Sequence, residues 1–490
     1  MEFEAHYPPF KRLLFFCLVW LFGTALHAFF ETTWLSVWRW GALVSVMVFV
    51  VVYLWIAQNK FRLFALLALV FLTSLMRYDV ALRHLPSWVA PPTSSVQYSG
   101  TVQALRGDGI GLEVTHVSAP GLDPPGFPIM LRSNLPLMAL PGDRVAWNCR
   151  ASPINRDESA PPDLSLGKAG WVCRVGSVSV LKEGGLSWAR ILAELRGLMR
   201  SLVYGMMPPT EASLLMGLLA GERSDLPPAL SAAFRDTGTT HILAVSGYNI
   251  ARVTGAVLVA LASLQMARRR AIGWSAVAVV AFTVFVGCGA SVIRAALMGC
   301  LALAAAHVER RYDSGLGLVV AAAVMLVVSP LSLRHDLGFQ LSFAAVLGLR
   351  YFGPPIAKFL TKAIPAAVAS PLADSLAAVI ATAPIILYCF GVLAPVAPLT
   401  NLLVAPLVPT AMLTGAFAAA LSFIVPVMAP VFGFLPWLLL KLITTVVTVT
   451  AAVPTWELEI DFLGFAAWSV ALAAVAYRLR VSGRQVRRFI

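Results

Sequence analysis

Leu399-Thr-Asn-Leu-Leu-Val-Ala-Pro-Leu-Val-Pro-Thr-Ala-Met-Leu-Thr-Gly-Ala-Phe-Ala-Ala-Ala-Leu-Ser-Phe-Ile-Val425 contains no charged residue. A helix needs roughly 18 to 20 predominantly apolar residues to cross hydrocarbon, and this run exceeds that length. Leu13–Phe30, Gly41–Ala57 and Ile272–Val286 approach or exceed it too. The 490-residue chain is 59% hydrophobic and only 12% charged, more apolar surface than one water-soluble core can hide. The first run follows Lys11 and Arg12 as in a signal peptide, but Ala25, His27 and Ala28 offer no small-x-small cleavage site. It reads as a retained anchor.

The formal net charge of +13 invites a polyanionic partner, so its location matters. With a cytoplasmic N-terminus and alternating spans, Lys60/Arg62, Arg268–Arg270, Arg310/Arg311, Lys358/Lys362 and Arg478–Arg488 all fall inside. The positive-inside rule accounts for most of the excess and puts the C-terminus in the cytoplasm as well, so net charge carries little weight for nucleic acid. Cys17, Cys288, Cys300 and Cys389 lie in apolar runs and read as small hydrophobes. Cys149 and Cys173 share a polar stretch outside the cytoplasm, where disulfides persist, and a bridge between them is predicted. Two free thiols are the alternative, because pairing is a matter of geometry.

The expected fold is mainly α: a polytopic helical membrane protein of about twelve spans, with a small extracytoplasmic OB-like β-barrel inserted after the third helix. Residues 1–85 hold the N-terminal transmembrane helices, and Pro86–Ser95 marks a composition shift. Residues 95–183 form the β domain, with five short strands expected in Gln97–Leu105, Gly111–Ser118, Phe127–Ser133, Asp143–Arg150 and Gly170–Leu181. Its charges nearly balance and aromatics for base stacking are few, so DNA handling and a structural or docking role both stand. Residues 187–237 read as interfacial amphipathic helices at the outer membrane surface, residues 238–480 as about nine further spans, and 481–490 as a basic cytoplasmic tail.

Polar residues in the second half stand out against this background. His241-Ile-Leu-Ala-Val-Ser-Gly-Tyr-Asn-Ile-Ala-Arg252, taken as one helix, puts His241, Val245, Tyr248 and Arg252 on a stripe flanked by Ser246 and Asn249. Such residues at membrane depth face a cavity or a partner; the plainer reading has His241 and Arg252 snorkelling at opposite ends. Arg294, beyond the small residues of Gly287–Ser291, needs an anionic neighbour or water. Asp336 and Gln340 are candidate partners, either as a structural tie between helices or around a substrate. Asn401, among Pro398, Pro406 and Pro409, marks an irregular stretch. His241 and Ser246 diverge by about 140° on one helix, which argues against an intramembrane hydrolase. No Gly-x-x-x-x-Gly-Lys-Ser/Thr loop and no metal-ligand spacing is present, so no ATPase, no metal hydrolase, no catalytic residue and no cofactor is expected.

Several blocks resemble the ComEC competence family of DNA-internalisation proteins: Gly221-Glu-Arg-Ser-Asp-Leu-Pro227, Phe234 with Gly238 leading into His241-Ile-Leu-Ala-Val-Ser-Gly247, Ile293-Arg-Ala-Ala-Leu-Met298, Ser329-Pro330 with Leu337-Gly-Phe-Gln-Leu-Ser-Phe343, and Ala383-Pro384 followed by Asn401-Leu-Leu-Val-Ala-Pro406. The resemblance implies passage of one DNA strand into the cytoplasm across a bacterial inner membrane during natural transformation. It departs in two places. Ser246-Gly247-Tyr248-Asn249 stands where the family commonly has Ser-Gly-Leu-His, so a role of that second histidine does not transfer. Many members also end in a metallo-beta-lactamase-like domain; none follows the last helix here, so a separate nuclease is expected.

On this reading Arg223 and Arg235 at the outer mouth, with Arg252 and Arg294 deeper, compensate phosphates, while Ser246, Asn249 and Gln340 offer sequence-neutral hydrogen bonds. The partners implied are single-stranded DNA, the lipid bilayer, a DNA receptor outside, and a cytoplasmic motor or single-strand-binding protein. Broken helices with midplane charges equally suit a small-solute or lipid transporter, the alternative that the residues alone leave open.

Overall fold

A computed structural model describes residues 9–30, 47–48, 50–51, 62–83, 95–106, 111–118, 129–132, 139–153, 171–222, 226–243, 247–458 and 460–486. It is mostly helical. Helices α1 (Pro9–Phe30) and α2 (Arg62–Arg83) form an N-terminal pair. A Cβ added at Gly23 would lie 2.0 Å from Ser74 Oγ, so their close approach requires glycine at that crossing. Most of the second expected helix, Gly41–Ala57, lies outside the described residues.

Seven strands follow: β1 (Val96–Arg106), β2 (Gly111–Ser118), β3 (Ile129–Arg132), β4 (Arg144–Cys149), β5 (Ala151–Pro153), β6 (Trp171–Arg174) and β7 (Ser179–Lys182). The ladder order is β5-β6-β3-β2-β1-β4-β7, so it has two ends, β5 and β7, rather than the closed five-strand barrel that was expected. Two causes raise the strand count. Arg150 interrupts what reads as one strand, leaving β4 paired with β1 and β5 paired with β6, and the run Gly170–Leu181 breaks around Gly176 into β6 and β7. The β3–β6 pair is parallel and the other pairs in this sheet are antiparallel. Tyr98, Leu112, Val114, Ile129, Leu131 and Val145 fill the interior, with Tyr98 stacked on Trp147 at 5.7 Å.

Cys149 and Cys173 are bonded, as predicted from the sequence, and both are buried in this core. With a sequence separation of 24, the bridge stabilises the domain by about 3 kcal/mol in the chain-entropy account.

The helices that follow the sheet begin with α3 (Trp188–Met206), whose N-cap Ser187 accepts from the Arg190 N–H. Next come α4 (Pro209–Ala220), α5 (Pro228–Asp236) and the short α6 (Thr240–Leu243). In helix α3 Val203 and Met206, at its C-terminal end, are buried, whereas Leu195 and Leu198 in its middle are exposed. Helix α4 does not have the expected amphipathic, interfacial form: every residue from Glu211 to Ala220 is buried. It is enclosed by α3, α6, α8 (Arg268–Val286), α16 (Leu407–Ile424) and α17 (Ala429–Thr450). Its composition explains this, since after Glu211 the sequence Ala212-Ser-Leu-Leu-Met-Gly-Leu-Leu-Ala220 has no charged face to turn to water. Gly415 and Gly433 give it and α3 room, because a Cβ there would meet Leu215 at 2.7 Å and the Met206 carbonyl at 2.6 Å.

The remaining helices are α7 (Gly247–Ser263), α9 (Ala290–His307), α10 (Ser314–Val328), α11 (Ser332–His335), α12 (Leu337–Tyr351), α13 (Gly353–Leu360), α14 (Ala366–Phe390), α15 (Ala397–Val404) and α18 (Phe462–Val486). A two-strand ladder, β8 (Val392–Leu393) with β9 (Trp456–Glu457), ties the end of α14 to the start of α18. Among the described residues, five stretches are helical, long and apolar enough to cross a membrane: 268–286, 290–307, 366–390, 397–424 and 426–450. About twelve spans were expected. Segments 13–28, 314–328 and 463–476 are apolar but shorter, and the run through Ser329–Asp336 is cut by Pro330 and by the Asp336 cap into α10, α11 and α12.

Asp143 joins the sheet to α3. Its carboxylate accepts from the backbone N–H of Leu140 (2.8 Å) and Gly184 (2.7 Å) and from Arg190 (2.9 Å). Burial alone would raise this carboxyl, but the two N–H groups and the Arg190 guanidinium outweigh burial and hold it below its ordinary value. A depressed folded value means that the tie is fully present above the unfolded carboxylate value, about pH 4, and is lost as pH falls through the folded value. Hydrogen-exchange protection around Gly184 should therefore drop in acid in the wild type. In Asp143→Asn it should be low at neutral pH already; equal protection in both proteins at neutral pH would count against the tie.

Candidate functional site

The described polar residues singled out in the second half occupy different settings. Arg223 and Ser246 lie outside the described residues, as does the side chain of Arg252, whose backbone belongs to α7. Arg235, on the exposed side of α5, pairs weakly with its neighbour Asp236, Nε to Oδ1 at 3.5 Å. His241 sits in α6, and its Nδ1 is 3.2 Å from the Gly238 carbonyl. Residues 244–246, which join the two ends of the segment expected to form one helix from His241 to Arg252, lie outside the described residues; on either side of them the chain is helical. Gly238 supplies the turn that separates α6 from α5, at φ +66°, where a Cβ would lie 2.9 Å from Ala397.

Asn249 is 2% exposed in α7, and among the described residues its Nδ2 has no acceptor. The next residue, Ile250, packs with Val292 and Ala296 of α9. Arg294 lies midway between those two in sequence, about 160° round the helix from each, and turns instead to α12. There it donates to the mid-helix carbonyl of Ser342, and its guanidinium carbon stands 5.9 Å from the Phe343 ring centroid. It is 8% exposed, and among the described residues its Nε has no acceptor.

The anionic neighbour expected in Asp336 is not what Arg294 meets. Asp336 caps α12 by accepting from the Phe339 N–H at 3.1 Å, and Gln340 Nε2 donates to the carbonyls of Leu333 and Arg334 at 3.0 and 2.8 Å. Both side chains close the corner between α11 and α12, because a short polar side chain at a helix start competes best for the local unpaired backbone groups. The partner helix read from the sequence is therefore the one Arg294 touches, through other atoms. Asn401 is apart from this group: its Nδ2 donates to Ser375 Oγ at 3.0 Å, joining α15 to α14.

Four charged contacts escaped sequence reasoning. Arg196 donates to the Phe285 carbonyl at the end of α8, Arg200 pairs with Glu222 at 2.7 Å, and Lys441 pairs with buried Glu211 at 3.5 Å. In the N-terminal pair, His27 and Asp79 meet at 3.7 Å. The ionisable residues inside apolar runs, His27, Asp79 and Lys441, carried a sequence signal of their own.

Arg294 differs from the other arginine–carbonyl contacts. Arg196 reaches carbonyls in the last turn of α8, and Arg77 reaches those of Val327 and Val328 in the last turn of α10, where acceptors are free. Arg294 reaches the middle of a helix and leaves one donor unmatched. A double-mutant cycle between Arg294→Met and Phe343→Leu, read by unfolding in detergent, should give a coupling of about 0.5–2 kcal/mol. Strict additivity would mean that the cation and the ring do not meet.

Residues 218–484 match the family model described as Competence protein, a segment that contains Arg223, Asn401 and every candidate polar position between them. ComE operon protein 3 of Bacillus subtilis (strain 168) is 26% identical over 221 residues, 45% of this chain and 28% of that protein. The match thus spans under a third of the relative's length. No solved structure matches the chain. With the family model covering more than half of its length, and with the polar positions of α5 to α15 inside that span, the chain belongs to the competence protein family.

Proposed function

We propose that this chain forms the conduit by which a single DNA strand crosses the inner membrane of a bacterium during natural transformation. The observation that carries the reading is Arg294, in the family-matched segment: a guanidinium 8% exposed, in contact with no carboxylate among the described residues, and with a donor unmatched. A charge so placed is costly unless something negative visits it, and a phosphate chain is such a visitor. Asn249, with its own unmatched donor, is a second contact of the same sequence-neutral kind.

In this reading the shorter apolar segments, together with the apolar runs outside the described residues, complete about twelve spans; both termini are cytoplasmic, and the β domain stands outside. The disulfide supports that side, since thiols stay reduced in the cytoplasm. The strand order supports an OB-like relationship: β1 to β3 form a meander, β6 runs parallel to β3, and the interrupted strand β4–β5 reaches β1 with one half and β6 with the other. The chain acts as a passage and not as an enzyme; strand degradation and directional drive come from separate partners, a nuclease and a cytoplasmic motor or strand-binding protein, with a receptor delivering DNA outside.

Deletion of the gene in its host, followed by measurement of labelled strand reaching the cytoplasm, tests the reading directly. Entry should be lost and restored by the wild-type gene. Complementation with Arg294→Ala should fall about tenfold or more below wild type, the effect of losing one contact of roughly 1.4 kcal/mol or above. Normal entry in the deletion strain overturns the proposal, and a lost small-solute or lipid flux in its place favours a transporter.

A further inference from the structure

At one end of the helical bundle, basic side chains outnumber acids. Helices α8 and α9 pack together and are joined by the short link Gly287–Gly289, so the start of α8 and the end of α9 share the opposite end. The loop after α9 leads into α10, and Arg350, in the last turn of α12, donates to Ser314 Oγ at 2.8 Å and pairs with Asp313 at 3.8 Å. Arg268–Arg270, Arg310, Arg311 and Arg350 therefore stand at one end, with Glu309 and Asp313 among them, and all are exposed.

The short helix α13 joins α12 to α14 at this same end. It packs on α14, and Asp374 of α14 lies beside its N-terminus, 3.3 Å from where a Gly353 side chain would begin. A carboxylate there favours the helix dipole. The other end of α13 is cationic: Lys358 in its last turn and Lys362 just beyond are exposed, and Phe359 between them is 71% exposed. Helix α12 exposes Leu347 and Leu349 in its last two turns, and α14 exposes Val368 in its first. Surface of the kind that acyl chains cover thus runs up to α13 from both neighbours, and the lysines stand where it ends.

We infer that α13 is a docking element for anionic phospholipid: Phe359 enters the acyl region beside the ends of α12 and α14, while Lys358 and Lys362 hold headgroup phosphates. Lysine suits this task, because its stem lies along apolar surface while its ammonium, a mobile point charge with three donors, reaches headgroup level. The arginines at the same end raise the local concentration of such headgroups. A nucleic-acid strand is drawn by the same cations, but the exposed leucines and valine beside the ring are aliphatic and give bases no platform for stacking, whereas acyl chains cover them.

Occupancy of α13 reaches the Arg294 site through one continuous piece of chain. Phe352 is the single residue between α12 and α13, and α12 supplies the Ser342 carbonyl and the Phe343 ring that hold Arg294. Lipid bound at α13 fixes the end of the helix against which Arg294 is set. The leaflet concerned is the cytoplasmic one when both termini are cytoplasmic; the lipid contact itself is independent of that orientation and of the conduit.

The test is thermal unfolding of the full chain in neutral detergent, titrated with phosphatidylglycerol and, separately, with phosphatidylcholine of the same acyl chains. Phosphatidylglycerol should raise the midpoint at the lower concentration, since a ligand of the folded state stabilises it by mass action. Lys358→Gln with Lys362→Gln should shift that response about 30-fold in concentration, at roughly fivefold for each surface cation. Arg310→Gln with Arg311→Gln removes the same charge away from the ring and should shift it less. Equal shifts from the two pairs mean a diffuse charge effect and overturn the site, as does a wild type that answers both lipids alike. A single-stranded oligonucleotide that stabilises the wild type but not the lysine variant overturns it too and assigns the surface to a strand. Where the lysine variant fails to fold, Phe359→Ser decides: it should shift the phosphatidylglycerol response about tenfold, and an unchanged response sinks the inference.

Discussion

Hydrocarbon offers a backbone carbonyl nothing to accept from, and helix ends are where that deficit is greatest. Arginines in this protein answer it repeatedly. Arg196 serves the end of α8, Arg77 the end of α10 and Arg334 the end of α1, each reaching from a neighbouring element to last-turn carbonyls. A cation at a helix C-terminus also opposes the helix dipole favourably, so one side chain fastens two elements and relieves two penalties. Part of the large positive charge of the chain is thus consumed in assembly and is not available to a ligand.

Against that pattern Arg294 is the exception that gives the site its meaning. It fastens α9 to α12 through a mid-helix carbonyl and the face of Phe343, and it keeps a donor in reserve. The residues around it are organised by ordinary helix chemistry. Asp336 caps, Gln340 closes a corner, and Asn401 joins α15 to α14. Among the described residues, Arg294 is thus a charge set against α12 and apart from Asp336, Gln340 and Asn401, an arrangement that suits the sequence-indifferent, weakly held ligand of the proposed function.

The β domain is tied to the helices through one carboxylate. Asp143 gathers a turn, the segment before α3 and Arg190 of α3 itself, and α3 then packs on α16 and α17 while Arg196 holds α8. Helix α3 is in this sense a strut from sheet to membrane helices. Its Leu195 and Leu198 are exposed, which suits a helix lying beside lipid. Burial of α4 beneath it supplies the apolar core on which the strut rests.

Composition and the uncharged runs were sufficient to establish a helical membrane protein, because transfer of apolar surface is additive along the chain and needs no partner to be read. The disulfide was legible for a similar reason, as Cys149 and Cys173 were the only cysteines in a polar stretch. Family membership rested on blocks of residues in order, which a linear sequence retains. Tertiary structure alone decided what each polar residue touches. Asp336 and Arg294 attract one another on paper, yet an N-cap with free backbone N–H groups one turn away outcompetes a guanidinium on another helix. That α4 is enclosed and that His27 faces Asp79 were equally beyond the sequence, since both depend on which helices pack together, and that is settled by contacts among residues far apart in the chain.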